Sequence, residues 1–212
     1  MRFVYVHGWG FDARFWRSLQ DCLGDGECLD LGFVSDPQLD ISATDEPLVA
    51  VGHSFGVQWL LHHHANKPWQ AFVSINGFAR FVKAEGYDVG THPRILKRMI
   101  QGFEQRPDGV YVDFMKLCGA ADPNPQGLNY DPLRDGLEAL YEWDEREALD
   151  LLAAPVLALA GGADQVVPQN MSEAAFVGHN LVIKADGDHV LPQSDPDWCA
   201  QQIQAFLEQN GQ

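Results

Sequence analysis

The sequence of 212 residues lacks any run of about 18 apolar residues, so it predicts no transmembrane helix. Its first eight residues form too short an apolar stretch for a signal peptide and offer no small-residue cleavage site. Basic residues are few, because 14 Lys and Arg stand against 30 Asp and Glu for a formal net charge of −16. Such a charge repels phosphate backbones and anionic membranes. We therefore expect a soluble, cytoplasmic protein that binds neither nucleic acid nor membrane.

Cysteine is also sparse, and the four cysteines are Cys22, Cys28, Cys118 and Cys199. No two of them have CxxC spacing, so the sequence indicates neither a zinc site nor a disulfide framework. We expect all four to be small buried hydrophobic residues.

Short β-rich apolar segments alternate with helical patterns, which is typical of a parallel sheet covered by helices. The length fits a single domain over residues 1–212. Strands are predicted at residues 3–6, 48–51, 71–75, 156–160 and 181–184, with a weaker one at 28–33. The fold class is therefore α/β, with a sheet of about six strands.

Helices are predicted on both sides of these strands. Apolar residues recur every four positions from Phe11 to Leu23, where Asp12 would cap a helix, and again after Pro196. Between residues 78 and 152 the strand signals disappear, and Gly and Pro break up helical segments. We predict that this stretch is a helical insertion that forms a lid over the functional site.

The sequence Gly52-His53-Ser54-Phe55-Gly56 follows a predicted strand and precedes a predicted helix. This is the context of a G-x-S-x-G nucleophile elbow, in which a tight, strained turn exposes the serine hydroxyl above the sheet. We predict that Ser54 is a nucleophile. The alternative is a serine in an ordinary glycine-rich turn.

A serine hydroxyl needs a histidine base that is oriented by a carboxylate. Asp164 and His189 each follow a predicted strand, and they come in the order Ser, acid, His that this architecture requires. Asp186 and Asp188 flank the base, but a carboxylate so near in sequence cannot easily reach the far nitrogen of the same ring. We therefore predict a Ser54, Asp164, His189 triad, which uses no metal or organic cofactor.

The other histidines fit the role of base less well. His92 and His179 lie in polar segments with no strand leading to them. Residues 62–64 are three consecutive histidines that point in different directions, which favours a solvated helix end over a metal site.

The segment His7-Gly8-Trp9-Gly10 follows the first predicted strand. We predict that the backbone N–H groups of Trp9 and Phe55 form an oxyanion hole. The segment lacks the Lys and the glycine spacing of nucleotide loops, so a phosphate site is disfavoured.

Together, the His7-Gly8 pair, the elbow and the segments around Asp164 and His189 resemble the α/β-hydrolases. Residues 7–16 and 99–119 further resemble the pimeloyl-[acyl-carrier protein] methyl ester esterases of biotin synthesis. That resemblance implies hydrolysis of a carrier-bound pimeloyl methyl ester. The sequence departs from the family pattern in its length, since we expect the first two strands that are usual in the fold to be missing here.

Charge within the insertion bears on the substrate. Residues 80–116 hold seven of the 14 basic residues against five acidic ones. Arg94, Lys97 and Arg98 have the spacing of one helix face, where they could bind the phosphate or carboxylates of an acyl carrier protein. The alternative is an ordinary solvated face.

We therefore predict a serine carboxylic ester hydrolase. Three other enzymes could use the same triad, namely a short-chain carboxylesterase, a lactonase and a carbon-carbon bond hydrolase. A catalytically silent protein of the same fold that only binds a ligand is the alternative outside enzymes.

Overall fold

The computed structural model describes residues 1–120 and 122–211. Their strands are β1 (Arg2–Val6), β2 (Gly26–Leu29), β3 (Leu48–His53), β4 (Trp69–Ile75), β5 (Val156–Gly161) and β6 (Asn180–Lys184). They form one sheet in the order β2-β1-β3-β4-β5-β6, and each neighbouring pair runs parallel. The predicted α/β class with a parallel sheet is confirmed.

Helices cover both faces of this sheet. The α-helices of the described residues are α1 (Arg17–Leu23), α2 (Phe55–His64), α3 (Pro93–Gln105), α4 (Pro107–Leu117), α5 (Tyr130–Glu142), α6 (Arg146–Asp150), α7 (Gln169–Ala175), α8 (Leu191–Ser194) and α9 (Pro196–Asn210). Among these residues, no helix has both the length and the apolar character needed to cross a bilayer.

Side chains alternate between the two faces of each strand and fill two hydrophobic layers. Tyr5 of β1 belongs to one layer, in which Leu19 of α1 and Ile203 of α9 are fully buried. Val4 and Val6 belong to the other layer, which includes α2 and the helices that follow β4. Burial of one large aliphatic or aromatic side chain stabilises the fold by about 1.5–3 kcal/mol, so the two layers hold the sheet rigidly beneath the site.

The segment between β4 and β5 contains α3 to α6 and, in the part that the structure describes, no strand. Pro93 and Pro107 are the first residues of α3 and α4, where a missing N–H leaves no hydrogen bond unmade. Because β4 and β5 are paired neighbours, the segment leaves the sheet and returns to it at adjacent strands.

Two predicted elements differ from the structure. The weak strand expected at 28–33 is β2, which ends at Leu29, because the next residue, Asp30, turns inward. Its carboxylate accepts hydrogen bonds from the N–H groups of Ala13 and Gly32 and from the Ser35 hydroxyl, and these bonds hold a loop. The predicted first helix begins as a 3₁₀ helix (Ala13–Trp16), which Asp12 caps as expected.

The cysteines follow the prediction in part. Cys118 and Cys199 are buried, but Cys22 and Cys28 are only half-buried because they lie on α1 and on the edge strand β2. Burial raises the pKa of the Cys28 thiol to about 11, so it stays protonated near neutral pH.

Candidate active site

Ser54 occupies a tight turn between β3 and α2. Its backbone has φ of 52° and ψ of −122°, a left-handed conformation that costs a residue other than glycine about 1–3 kcal/mol. Both flanking glycines are needed. A Cβ on Gly52 would lie 2.8 Å from the Cα of Val57, and one on Gly56 would collide with the carbonyl oxygen of Val6. The turn thus has the form of a nucleophile elbow.

Asp164 and His189 meet beyond the carboxyl ends of β5 and β6. The Nδ1 of His189 lies 2.8 Å from the Oδ2 of Asp164, and both side chains are buried. The other oxygen of Asp164, Oδ1, accepts the N–H groups of Val166 at 2.7 Å and Val167 at 2.9 Å. Three hydrogen bonds therefore hold this carboxylate in place. It accepts a hydrogen bond from the Nδ1–H of His189, so Nε2 is the unprotonated, basic nitrogen of the neutral ring.

The second ring nitrogen of His189, Nε2, is buried and has no hydrogen-bond partner among the described residues. The loop after β6, which carries His189, lies against the elbow. The ring centroids of His53 and His189 are 4.9 Å apart. No hydrogen bond joins Ser54 Oγ to His189 Nε2 in the described part of the chain. Catalytic hydrogen bonds often tighten only when substrate binds, so Nε2 is free for that role.

The two carboxylates that flank the base have other partners. Asp188 accepts the N–H of Val190 and the hydroxyl of Ser194 through Oδ1, and Asp186 lies 3.1 Å from the Nζ of Lys184. Asp164 is therefore the carboxylate that geometry favours as the acid.

The loop after β1 packs directly on the elbow. A Cβ on Gly8 would lie 3.0 Å from the Cβ of Ser54, so only glycine allows this approach. The ring of His7 holds the loop, since Nδ1 donates to the Gly8 carbonyl and Nε2 accepts the N–H of Leu31. Among the described residues, the backbone amides of Trp9 and Phe55 donate no hydrogen bond, as the predicted oxyanion hole requires.

Helices of the insertion cover this loop. The Trp9 indole N–H donates to the carbonyl of Leu133 at 2.7 Å, and its ring meets that of Phe114 edge-on with centroids 5.0 Å apart. The Phe114 ring also faces His189 edge-on, at 6.5 Å. An aromatic ring of the predicted insertion therefore lies next to His189.

A groove of about 310 Å³ lies between α3 and α4. It is lined by Arg98, Met99, Gly102, Arg106, Val110, Asp113, Phe114 and Leu117. Phe114 lines this groove and also faces the ring of His189. The groove therefore lies next to the candidate site.

The predicted carrier-binding residues lie on α3. Arg94, Lys97 and Arg98 are all exposed, and no carboxylate of the described residues lies within ion-pair distance of them. Lys97 Nζ lies 5.2 Å above the Tyr141 ring. Arg98 reaches the rim of the groove between α3 and α4, so positive charge borders that groove.

The three consecutive histidines end α2 and do not converge on one point. The Nδ1 of His62 donates to the carboxylate of Glu145 at 2.6 Å, and the His62 ring stacks on Trp143 with centroids 3.8 Å apart. Residues 1–120 and 122–211 contain no group of three His, Cys, Asp or Glu side chains arranged to hold a metal ion.

Sequence reasoning missed two buried polar residues of this site. Asn76 and His53 both hydrogen-bond the backbone carbonyl of His189, although one follows β4 and the other belongs to β3. The available signal was a polar residue at the end of an otherwise apolar strand.

A scan against models of protein families finds none that matches this chain. Among curated proteins, the chain is 27% identical to "Biotin biosynthesis bifunctional protein BioHC" of Cellvibrio japonicus over 97% of its own length, but it spans only 47% of that relative. It is 24% identical to the pimeloyl-[acyl-carrier protein] methyl ester esterase of Neisseria meningitidis, over 96% of this chain and 92% of that protein.

Solved structures give a consistent result. An esterase from Exiguobacterium antarcticum superposes with a TM-score of 0.80 at 15% identity, over 98% of this chain and 92% of the other. A bromoperoxidase from Bacillus anthracis gives 0.81 at 17% identity, over 98% and 91%. The chain has the α/β-hydrolase fold. The predicted resemblance and the prediction of an ester hydrolase are confirmed at this general level.

Proposed function

We propose that the chain is a serine carboxylic ester hydrolase with Ser54 as nucleophile, His189 as general base and Asp164 as the acid that orients it. One observation carries this proposal: the buried 2.8 Å contact between His189 Nδ1 and Asp164 Oδ2, next to a serine in a strained elbow. A buried ionisable pair beside a strained turn is typical of catalytic sites.

The reaction follows from these positions. Ser54 Oγ attacks the ester carbonyl while His189 Nε2 takes its proton, and the tetrahedral oxyanion accepts the N–H groups of Trp9 and Phe55. Collapse breaks the ester C–O bond, and His189 returns the proton to the departing alcohol. Water then attacks the acyl-serine with the same help from His189, which releases the carboxylic acid and regenerates Ser54.

For the substrate we propose a pimeloyl methyl ester linked to an acyl carrier protein. The printed names of the sequence relatives support this class. So does the exposed positive charge of Arg94, Lys97 and Arg98 on α3, of which Arg98 lines the groove, because a carrier-linked substrate presents phosphate and carboxylates. The chain spans about half of the bifunctional relative, so the esterase name in this proposal comes from the Neisseria meningitidis relative, of which the chain covers 92%.

Covalent labelling with a fluorophosphonate probe tests the nucleophile. Wild-type protein should be labelled at Ser54, and Ser54→Ala should lose both the label and ester hydrolysis, with kcat lower by about 10⁴-fold or more. His189→Ala should lose activity to a similar extent. Labelling or turnover that persists in Ser54→Ala would refute the proposed chemistry.

Substrate choice needs a second assay, in which the purified protein hydrolyses methyl pimeloyl carrier protein beside p-nitrophenyl esters of graded chain length. We expect kcat/KM to be higher for the carrier-linked ester. Equal or better hydrolysis of short p-nitrophenyl esters would favour a general short-chain carboxylesterase instead.

A further inference from the structure

Asn76 is a buried amide that the triad chemistry does not use. It follows β4, has φ of 48° and is 1% exposed. Its Oδ1 accepts the N–H of Gly161 at 2.7 Å, and its Nδ2 donates to the carbonyl oxygens of Asp188 and His189, each at 2.8 Å. The side chain therefore ties the ends of β4 and β5 to the loop that carries the base.

His53 reaches the same carbonyl from the elbow. Its Nε2 lies 2.8 Å from the carbonyl oxygen of His189, and because a carbonyl only accepts, Nε2 carries the proton. The ring is fully buried and stacks on Phe15 with centroids 4.4 Å apart. A Cβ on Gly8 would lie 2.9 Å from its Nδ1. His53 thus contacts the oxyanion loop and the base loop while it directly precedes Ser54.

We propose that Asn76 and His53 are positioning residues that together clamp the carbonyl oxygen of His189. The inference rests on the proposed function, since it concerns the proton transfer assigned to His189. A carbonyl oxygen has two lone pairs, and here two N–H donors engage it, one from the end of β3 and one from the residue after β4. Rotation or displacement of this peptide would therefore break two buried hydrogen bonds. A displacement of about 1 Å at a reacting group can cost about 100-fold in rate.

The identity of residue 76 fits this role. Among residues other than glycine, asparagine is one of the few that tolerate a left-handed φ. Its amide also supplies two N–H bonds to two carbonyls while its oxygen accepts a third group. A strained residue that makes three buried hydrogen bonds to the catalytic edge indicates a constraint from the site.

Asn76→Asp tests the clamp with almost no change in size. The carboxylate loses both N–H donors and faces two carbonyl oxygens, so we expect kcat for a p-nitrophenyl ester to fall about 10- to 100-fold, with KM changed less than about twofold. Asn129→Asp is the matched control, because Asn129 Nδ2 also donates to two backbone carbonyls, those of Gly32 and Ser35, away from the base. It should keep kcat within about twofold while thermal unfolding reports any loss of stability.

A second pair of variants separates positioning from packing. His53→Phe keeps a ring against Phe15 and loses the N–H, whereas His53→Gln restores a donor near the same point. We expect kcat of His53→Gln to exceed that of His53→Phe about tenfold, at equal KM. Both side chains donate to one oxygen, so their effects should not be independent. The fold-loss in kcat of the double variant His53→Phe, Asn76→Ala should be smaller than the product of the two single fold-losses.

The outcomes are distinct. A folded Asn76→Asp with kcat within twofold of wild type overturns the clamp, and so does a His53→Gln variant no faster than His53→Phe. If Asn76→Asp does not fold, the two His53 variants decide. Activity that survives Ser54→Ala overturns the proposed function instead.

Discussion

Replacing Asp164 with Asn should reverse the tautomer of the base. The Oδ1 position faces the N–H groups of Val166 and Val167 at 2.7 and 2.9 Å, so the amide oxygen of Asn must occupy it. Turning the amide over would set its NH₂ against two N–H donors and leave each unsatisfied, at about 1–3 kcal/mol per group. The NH₂ group therefore takes the Oδ2 position, 2.8 Å from the Nδ1 of His189.

An NH₂ group at that point donates to Nδ1, so the single proton of the neutral imidazole moves to Nε2. Nε2–H cannot take the proton of Ser54. We expect kcat to fall by about 10³- to 10⁴-fold, which at 1.36 kcal/mol per factor of ten is about 4–5.5 kcal/mol of lost transition-state stabilisation. The protein should stay folded, because size and backbone hydrogen bonds are retained.

Hydrolysis of a p-nitrophenyl ester measures kcat, and ¹⁵N NMR of the imidazole shows which nitrogen holds the proton. Asp188→Asn is the control, since the Oδ1 of Asp188 can still accept from Val190 and Ser194 after the change. It should keep kcat within about fivefold, because Asp188 does not orient the ring. An Asp164→Asn variant with more than a tenth of wild-type kcat would show that Asp164 is not the acid, and a large loss in Asp188→Asn would assign that role to Asp188.

Three further predictions concern the insertion, pH and metals. Replacing Arg94, Lys97 and Arg98 with Glu should lower kcat/KM for a carrier-linked ester and leave hydrolysis of a p-nitrophenyl ester unchanged. As a control, the same charge change at Arg17, Lys67 and Arg134 should affect neither substrate. Equal losses on both substrates would mean that Arg94, Lys97 and Arg98 only support folding. The pKa of His53 lies well below its usual value, mainly because the ring is buried and also because of the charge interaction with His189. The unfolded chain therefore binds a proton there below pH 6.5 that the folded chain does not, and the free energy of unfolding should fall by up to about 1.4 kcal/mol per pH unit on acidification. Urea denaturation of His53→Gln between pH 7.5 and 5 should show a shallower loss, and an unchanged slope would contradict the assignment. A chelator should leave ester hydrolysis unchanged, and loss of activity that zinc restores would point to residues 62–64 instead.

The sequence predicts the central features of this fold because local patterns encode them. The elbow is recognisable because Gly52 and Gly56 are sterically required around Ser54. The proposed acid and base follow strands whose apolar residues are continuous. Where the chain departs from local rules, prediction fails. The end of β2 depends on a carboxylate at residue 30 that gathers donors from three separate positions, and no short pattern reveals those contacts.

The same limit applies to the site. The proposed roles of Asn76 and His53 depend on a carbonyl 113 and 136 residues away in the chain. A polar residue at the end of an apolar strand marks both positions, but spacing and periodicity do not reveal which group they contact. Likewise, the 3.6-residue periodicity of α4 predicts a helix but does not tell which ring covers His189. That ring, Phe114, is known only from the packing of α4 against the loop after β1.

Residues 78–152, the predicted insertion, join β4 to β5, two strands that are paired directly. The proposed nucleophile, acid and base follow β3, β5 and β6. Under the proposed function, one contiguous segment contains Arg94, Lys97 and Arg98, and it contains none of the three proposed triad residues. Because β4 and β5 run parallel, a replacement segment must leave the carboxyl end of β4 and cross back to the amino end of β5. It must also supply a partner for the indole N–H of Trp9, which here donates to the carbonyl of Leu133. We expect exchange of this contiguous segment to change the acyl preference of the proposed hydrolase while Ser54, Asp164 and His189 stay in place.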